Sequence, residues 1–410
     1  MKKITFVFCM LAVLFAQAQY TGPGYYRVHN AGSNGYISIK GTQYKYSTYP
    51  DAFWSCVLMQ HDPSQVSEPG SIIFIPDTVQ TSLFAQGVST YSLTGMPLTI
   101  LPAKVDEGGK PSYIAQTYNA NFFGGRIPCI FRDYGIGFTA GTLEVTESRW
   151  WIEPVNESSM ETSYFGLKPV NAEVDDEDIE YWATLCCDFP CLIPEDGGIE
   201  GAYTVNHVYY PQDNIAMIKP IKRYDQGDTI PGATPILIKC TSPDVKDNKL
   251  VPVQEPANCT EMPITADLLM GNYFSVFSNH GHLNDYSIFI DYIPDQSTPA
   301  NDNYLALGMD ENGKIGFFPK VEGSYMDANT AWLDISSLES KNVSAVYFIV
   351  DGDGNGDGTC DMSDLTILIN YLLGAEPSRG PINLVGVDMN NNNVVDMTDL
   401  ALLINHLLYN

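Results

Sequence analysis

The chain has 410 residues, with 49 Asp and Glu against 21 Lys and Arg, for a formal charge of −28. That length exceeds one ordinary domain. The charge argues against nucleic acid and against anionic membrane surfaces as partners, because both would repel it.

Residues 1–18 read as a secretory signal. Lys2 and Lys3 form the charged end, Ile4 to Phe15 the apolar run, and Ala16-Gln17-Ala18 the cleavage site. The run is too short to span a bilayer, and no other stretch has the length and apolarity of a transmembrane helix. The mature protein is expected to begin at Gln19 and to be secreted or held at the cell surface.

Residues 19–158 predict a first β-rich domain. Tyr25 to His29, the Asn34-Gly35 turn and Tyr36 to Lys40 read as a hairpin with period-two alternation. Ser71 to Ile75, Ser112 to Gln116 and Gly137 to Ala140 continue the pattern, and Trp150 to Pro154 reads as a closing strand. The block resembles the all-β amino-terminal regions of exported bacterial proteins, some of trefoil type, but lacks the Gln-x-Trp signature of ricin-like trefoils.

Residues 159–340 predict a second β-rich domain. Its acidic run, Asp175 to Asp178, reads as a solvated loop. Tyr181 to Leu185, Ala202 to Val205, Pro235 to Lys239, Gly316 to Phe318 and Ala331 to Ile335 read as strands punctuated by Gly and Pro. Many short strands at this spacing imply a sandwich or barrel. Ser336 to Ala345 reads as a linker, and Val346 to Val350 leads into a tail module, residues 346–410.

No local motif in the two β blocks names a catalytic residue. There is no Gly-x-Ser-x-Gly elbow and no His-Glu-x-x-His pair. Glu144 and Glu147 beside Trp150 are candidate glycosidase carboxylates by proximity alone, and His280-Gly281-His282 is the one close histidine pair. A non-catalytic protein is the leading reading; the enzymatic alternative is a hydrolase of O-glycosyl bonds, and a structural surface protein is the third. Trp54, Trp150, Trp182 and Trp332 are candidate sugar platforms, though such residues are more often core. After cleavage Cys56, Cys129, Cys186, Cys187, Cys191, Cys240, Cys259 and Cys360 remain. With Cys360 read as a small buried hydrophobe, the odd remainder argues against a complete disulfide framework. The Cys186-Cys187-x3-Cys191 cluster lacks a second ligand pair for zinc.

The tail repeats itself. Two twelve-residue segments, 353–364 and 388–399, each place oxygen-bearing side chains at positions 1, 3, 5, 9 and 12, the spacing of a calcium loop. The first offers Asp353, Asn355, Asp357, the Thr359 carbonyl, Asp361 and Asp364. The second offers Asp388, Asn390, Asn392, the Val394 carbonyl, Asp396 and Asp399. These donor sets predict two bound Ca2+ ions. The first loop has four carboxylates and the second three, so the first is expected to bind more tightly. Position 6 needs a sharp turn and holds Gly358 in one loop and Asn393 in the other. Each loop is expected to lead into a helix starting at its position-12 Asp. Leu365, Leu368, Ile369 and Leu372 form one apolar stripe, and Leu400, Leu403, Ile404 and Leu407 copy it. Ile367, Leu373, Leu402 and Leu408 lie off the stripe, either as a wider core face or as surface for a partner.

Residues 351–410 resemble a type I dockerin, with two calcium loops each followed by one helix. The resemblance implies a cohesin-like partner, export, and a setting of polysaccharide degradation, with polysaccharide a candidate ligand of the β blocks. Its partner-reading positions fall on Met362 and Ser363 and on Met397 and Thr398. The near-identity of the repeats implies pseudo-twofold symmetry, so that either helix can face the partner.

Overall fold

The structure, a computed structural model, describes residues 20–32, 36–37, 59–60, 69–75, 84–85, 98–105, 111–119, 125–132, 135–138, 149–155, 164–174, 179–187, 189–212, 214–253, 268–272, 276–277, 304–319, 325–326, 329–334, 338, 343–375 and 382–409. The chain is mostly β, contains a nearly closed, barrel-like sheet, and ends in a small helical region.

In the first block the strand Gly24–Asn30 pairs antiparallel with Trp150–Pro154, placing Val28 opposite Ile152. The two ends of the block therefore close on one another. The hairpin partner Tyr36–Ile37 meets the first strand at His29. Trp150 faces Tyr113 of the strand Pro111–Asn119, which pairs in turn with Leu98–Val105 and Gly125–Arg132.

The second block is built on a nine-stranded sheet. In chain order its strands are β1 (Tyr181–Leu185), β2 (Ile199–Gln212), β3 (Ile215–Tyr224), β4 (Ile236–Cys240), β5 (Leu269–Asn272), β6 (Tyr304–Met309), β7 (Ile315–Pro319), β8 (Thr330–Asp334) and β9 (Ala345–Phe348). They lie in the order β1-β4-β2-β3-β9-β7-β6-β8-β5. Side chains on a strand alternate between faces, and here both faces are covered. Ile236 and Ile238 of β4 enter one core with Phe165, Phe189, Ile199 and Leu250. Leu237, between them, enters another with Trp182, Ile218, Leu305, Phe317 and Leu333. The continuous apolar run of β4 follows from that double burial.

The first of these cores also takes in Tyr25, Ile72 and Val155 of the first block. Arg27, wholly buried, donates through Nη2 to the Tyr164 carbonyl at 2.6 Å, and burial lowers its pKa to about 10. The two β blocks thus meet through a shared apolar core and a buried cation. β9 pairs parallel with β3, Ile215 opposite Ala345 and Ile218 opposite Phe348, and antiparallel with β7. The lead-in to the tail is therefore a strand of the sheet.

Among the described residues, the tail holds three helices: α1 (Met362–Leu372), α2 (Leu384–Val387) and α3 (Met397–Tyr409). Leu368, Val387 and Leu403 are fully buried, and Leu365, Leu372, Leu400 and Leu407 pack around them. Ile369 and Ile404, expected on the same stripe, are exposed instead. They sit at its edge, where the narrow core between two short helices no longer reaches.

Candidate metal centre and docking face

Each loop is organised around its first and last carboxylates. In the first loop Asp353 and Asp364 are both fully buried. The Gly356 and Gly358 amides donate to Asp353 Oδ1 and Oδ2 at 2.7 and 2.8 Å. The Gly354 and Asn355 amides donate to Asp364 Oδ1 at 2.9 and 3.0 Å, and the Asp361 amide donates to its Oδ2 at 2.8 Å. The second loop repeats most of these bonds. The Asn393 amide donates to Asp388 Oδ2 at 2.8 Å, the Met389 and Asn390 amides to Asp399 Oδ1 at 2.9 and 3.3 Å, and the Asp396 amide to Asp399 Oδ2 at 2.9 Å.

Positions 3 and 5 form local turns in both loops. Asn355 Oδ1 accepts from the Asp357 amide at 2.7 Å, and Asn390 Oδ1 accepts from the Asn392 amide at 3.0 Å. Asp357 Oδ1 accepts from the Thr359 amide at 2.9 Å, and Asn392 Oδ1 from the Val394 amide at 2.8 Å. Position 9 caps the helix that follows. Asp361 Oδ1 accepts from the Ser363 amide at 2.6 Å, and Asp396 Oδ1 from the Thr398 amide at 2.7 Å. The helices consequently start at Met362 and Met397, two residues before the position-12 Asp expected from sequence. The position-9 carboxylate, together with Asp364 in a capping box, satisfies the first free N–H groups there.

The backbone follows the same repeat. Position 6 is left-handed in both loops, with φ of +88° at Gly358 and +65° at Asn393. Position 4, which the sequence reading passed over, is left-handed too, at Gly356 and Asn391. The first loop meets this demand with two glycines and the second with two asparagines, the residue types that tolerate it best.

The donor chemistry fits a hard divalent cation. Burial pushes the Asp353 and Asp364 carboxyls above the usual aspartate range, and the charges of their acidic neighbours add to that rise. A bound cation reverses such an effect by stabilising the ionised form. At the rim the Thr359 hydroxyl holds Asp357 below the usual range, and Ser363 does so for Asp361. Burial, with Asp364 and Asp353 nearby, pushes the Cys360 thiol up to about 11. It packs against the tail core as a half-buried hydrophobe. Among the described residues, no group of three His, Cys, Asp or Glu side chains converges on one point. Asp353 with Asp364, and Asp388 with Asp399, form the buried parts of the two loops, while Asp357, Thr359, Asn392, Val394, Asp361 and Asp396 lie exposed.

Asn383, a residue that sequence reasoning missed, joins the repeats. It is fully buried, donates through Nδ2 to the Asp353 carbonyl at 2.8 Å and accepts from the Gly386 amide at 3.0 Å. Its own amide donates to the Gly354 carbonyl at 2.9 Å. The signal available was its isolation as a polar residue between Ile382 and Leu384.

Three of the four positions expected to read a partner are exposed. Met362 is 65% exposed and Met397 67%; Thr398 is exposed, and half-buried Ser363 accepts from Asn355 Nδ2 at 3.0 Å. Of the off-stripe residues, Leu373, Leu402 and Leu408 are exposed and Ile367 is half-buried.

The other candidates fare differently. Trp150, Trp182 and Trp332 are buried, and so are Cys186, Cys187 and Cys191. Glu144, Glu147, His280, His282, Trp54 and the 175–178 run lie outside the described residues, as does the leader. Among the described residues no helix is long and apolar enough to cross a membrane.

No curated protein and no solved structure matches the chain. Residues 351–408 match the family model of the dockerin type I domain. The family binds calcium and docks on cohesin-type partners, and the matched residues include both buried-carboxylate loops, 353–364 and 388–399. The C-terminal segment of this chain is a type I dockerin.

Proposed function

We propose that this protein is a secreted, non-catalytic adaptor. Its dockerin is ordered by two calcium ions and docks on a cohesin-like partner, and its β blocks bind a ligand of the carbohydrate class. Asp353, Asn355, Asp357, the Thr359 carbonyl, Asp361 and Asp364 would hold one ion. Asp388, Asn390, Asn392, the Val394 carbonyl, Asp396 and Asp399 would hold the other. Calcium takes six to eight oxygen donors in a flexible cage, and bound, it supplies the positive charge that these clustered carboxylates lack. The observation behind this reading is that both loops close most of the same amide bonds around buried position-1 and position-12 carboxylates. Met362, Ser363, Met397 and Thr398 would read the partner. Exposed apolar groups of this size at two helix starts favour a covering surface.

The carbohydrate part rests on the association of dockerins with polysaccharide-degrading systems. Buried Trp150, Trp182 and Trp332 offer no stacking platform. Capture of the full chain by a cohesin domain is expected with calcium and lost with chelator; capture under neither condition overturns the docking. On a polysaccharide array, binding without release of reducing ends is expected. Release of reducing ends would make the protein a hydrolase.

A further inference from the structure

We propose that the dockerin is latched onto the second β block of its own chain through Lys219, so that this sheet is a docking surface for the acidic tail. Ala216 and Ile218 of β3 face the sheet core, and alternation turns Met217 and Lys219 to the opposite face. Lys219 is only 3% exposed there.

An ammonium has three N–H donors and no acceptor. All three donors of Lys219 are met, and all by the tail. Nζ lies 2.9 Å from Asp351 Oδ1, and donates to the Asp388 carbonyl at 2.6 Å and to the Val385 carbonyl at 3.2 Å. Asp351 precedes the first loop, Val385 lies in α2, and Asp388 opens the second loop. One side chain of the sheet therefore holds both repeats at once. Burying a lysine is costly unless it is paired and fully hydrogen-bonded. This arrangement meets both conditions with partners from a single module, which marks a built socket and not a glancing surface contact.

The chain path supports the same placement. β9 runs beside β3, and the Ile349 amide donates to the Ile218 carbonyl at 2.7 Å. Asp351 follows within two residues, leaving no slack for the tail to swing. The Gly352 amide then donates to the Gly386 carbonyl at 2.9 Å, tying the entry of the first loop to α2.

A second lysine stands over the first loop. Lys314, in the turn between β6 and β7, stacks its Nζ 5.0 Å from the Tyr347 ring. A Cβ at Gly358 would come within 2.8 Å of that Nζ. In a chain with more than twice as many acidic as basic residues, two lysines of one block sit against the two loops of the tail. Met362 and Met397 take no part in these contacts and stay exposed. The latch and an external partner thus use different parts of the dockerin, and a docked partner is held at a fixed angle to the sheet.

Hydrogen exchange on the full chain, in saturating calcium, tests the latch. Lys219→Met keeps an unbranched side chain only one atom shorter and removes its three donors. Exchange of the amides at 349–354 and 383–388 is expected to rise about tenfold, with β1 and β4 unchanged. Rates within twofold of the parent over both segments overturn the proposal. Should Lys219→Met also loosen β1 and β4, Asp351→Asn decides the matter, because it alters only the more exposed end of the contact. There a rise of about threefold at 349–354 is expected, and an unchanged rate overturns the latch. Neither readout depends on capture by a cohesin, so failure of the latch leaves the docking function standing, and the reverse.

Discussion

The nine-stranded sheet and the dockerin bury opposite kinds of side chain. The sheet fills its interior with Leu237, Ile238, Leu305, Phe317 and Leu333, all fully buried. The dockerin buries Leu368, Val387 and Leu403, and alongside them Asp353, Asp364, Asp388 and Asp399. Each apolar side chain removed from water contributes roughly 1.5–3 kcal/mol. A buried carboxylate without a cation works in the other direction. A module of about sixty residues has little core to offset that cost. On the proposed function the two regions therefore differ in their source of stability: apolar area in the sheet, and ion coordination in the tail.

The largest effect separating them should come from the carboxylates proposed as ligands. In Asp353→Ala with Asp388→Ala, calcium should no longer raise the melting temperature of the tail or its helicity, while the sheet melts as in the parent. Calorimetry with calcium and with chelator reads both transitions. If the double variant keeps the calcium response of the parent, the contrast is wrong.

Core truncations sharpen the contrast at a smaller scale. Phe317→Ala in the sheet and Leu403→Ala in the tail each remove a fully buried side chain. About 3–5 kcal/mol is expected for the first and about 2–5 kcal/mol for the second. On the proposed function calcium binds only the folded tail, so excess ion should recover much of the Leu403→Ala loss by mass action and none of the Phe317→Ala loss. Denaturant melts at several calcium concentrations provide the check. Equal recovery in both variants would show that the ion stabilises the sheet as well.

The same difference governs what the sequence discloses. In the tail the determining contacts are local: Asp353 to Gly358, Asp361 to Ser363, and Asp364 back to Gly354 all close within one loop. Spacing alone therefore located the loops and both long helices. What it missed, Asn383 and the left-handed position 4, involves a contact between repeats and a backbone angle. In the β blocks the strand segments were legible from alternation, but their partners were not. β9 pairs with β3 across more than a hundred residues, and Tyr25 enters the core of the second block. Pairing over such distances depends on complementary surfaces that no local window contains. The lead-in at 346–350 shows the limit most clearly: read as the start of the tail module, it is in part the strand β9, whose partner β3 no local window contains.

The smallest test lies inside the dockerin, at position 6, where the two loops solve one backbone problem with different residues. Gly358 sits at φ +88° and Asn393 at +65°. An ordinary L-residue in the left-handed region is disfavoured by roughly 1–2 kcal/mol, so Gly358→Ala should lower tail stability by about that much. Its new Cβ also displaces Lys314 Nζ, a flexible end that can move aside. Asn393→Gly should do far less. Glycine relieves the residual strain of asparagine but gives the unfolded chain about 0.4–1 kcal/mol of extra freedom. The two contributions oppose, and a net change within about 0.5 kcal/mol is expected. Calcium titrations of the two variants should show the first loop weakened and the second nearly unaltered. A large loss in Asn393→Gly would mean that the asparagine side chain has a role of its own beyond permitting the turn, and the two loops would then be less alike than their hydrogen bonds indicate.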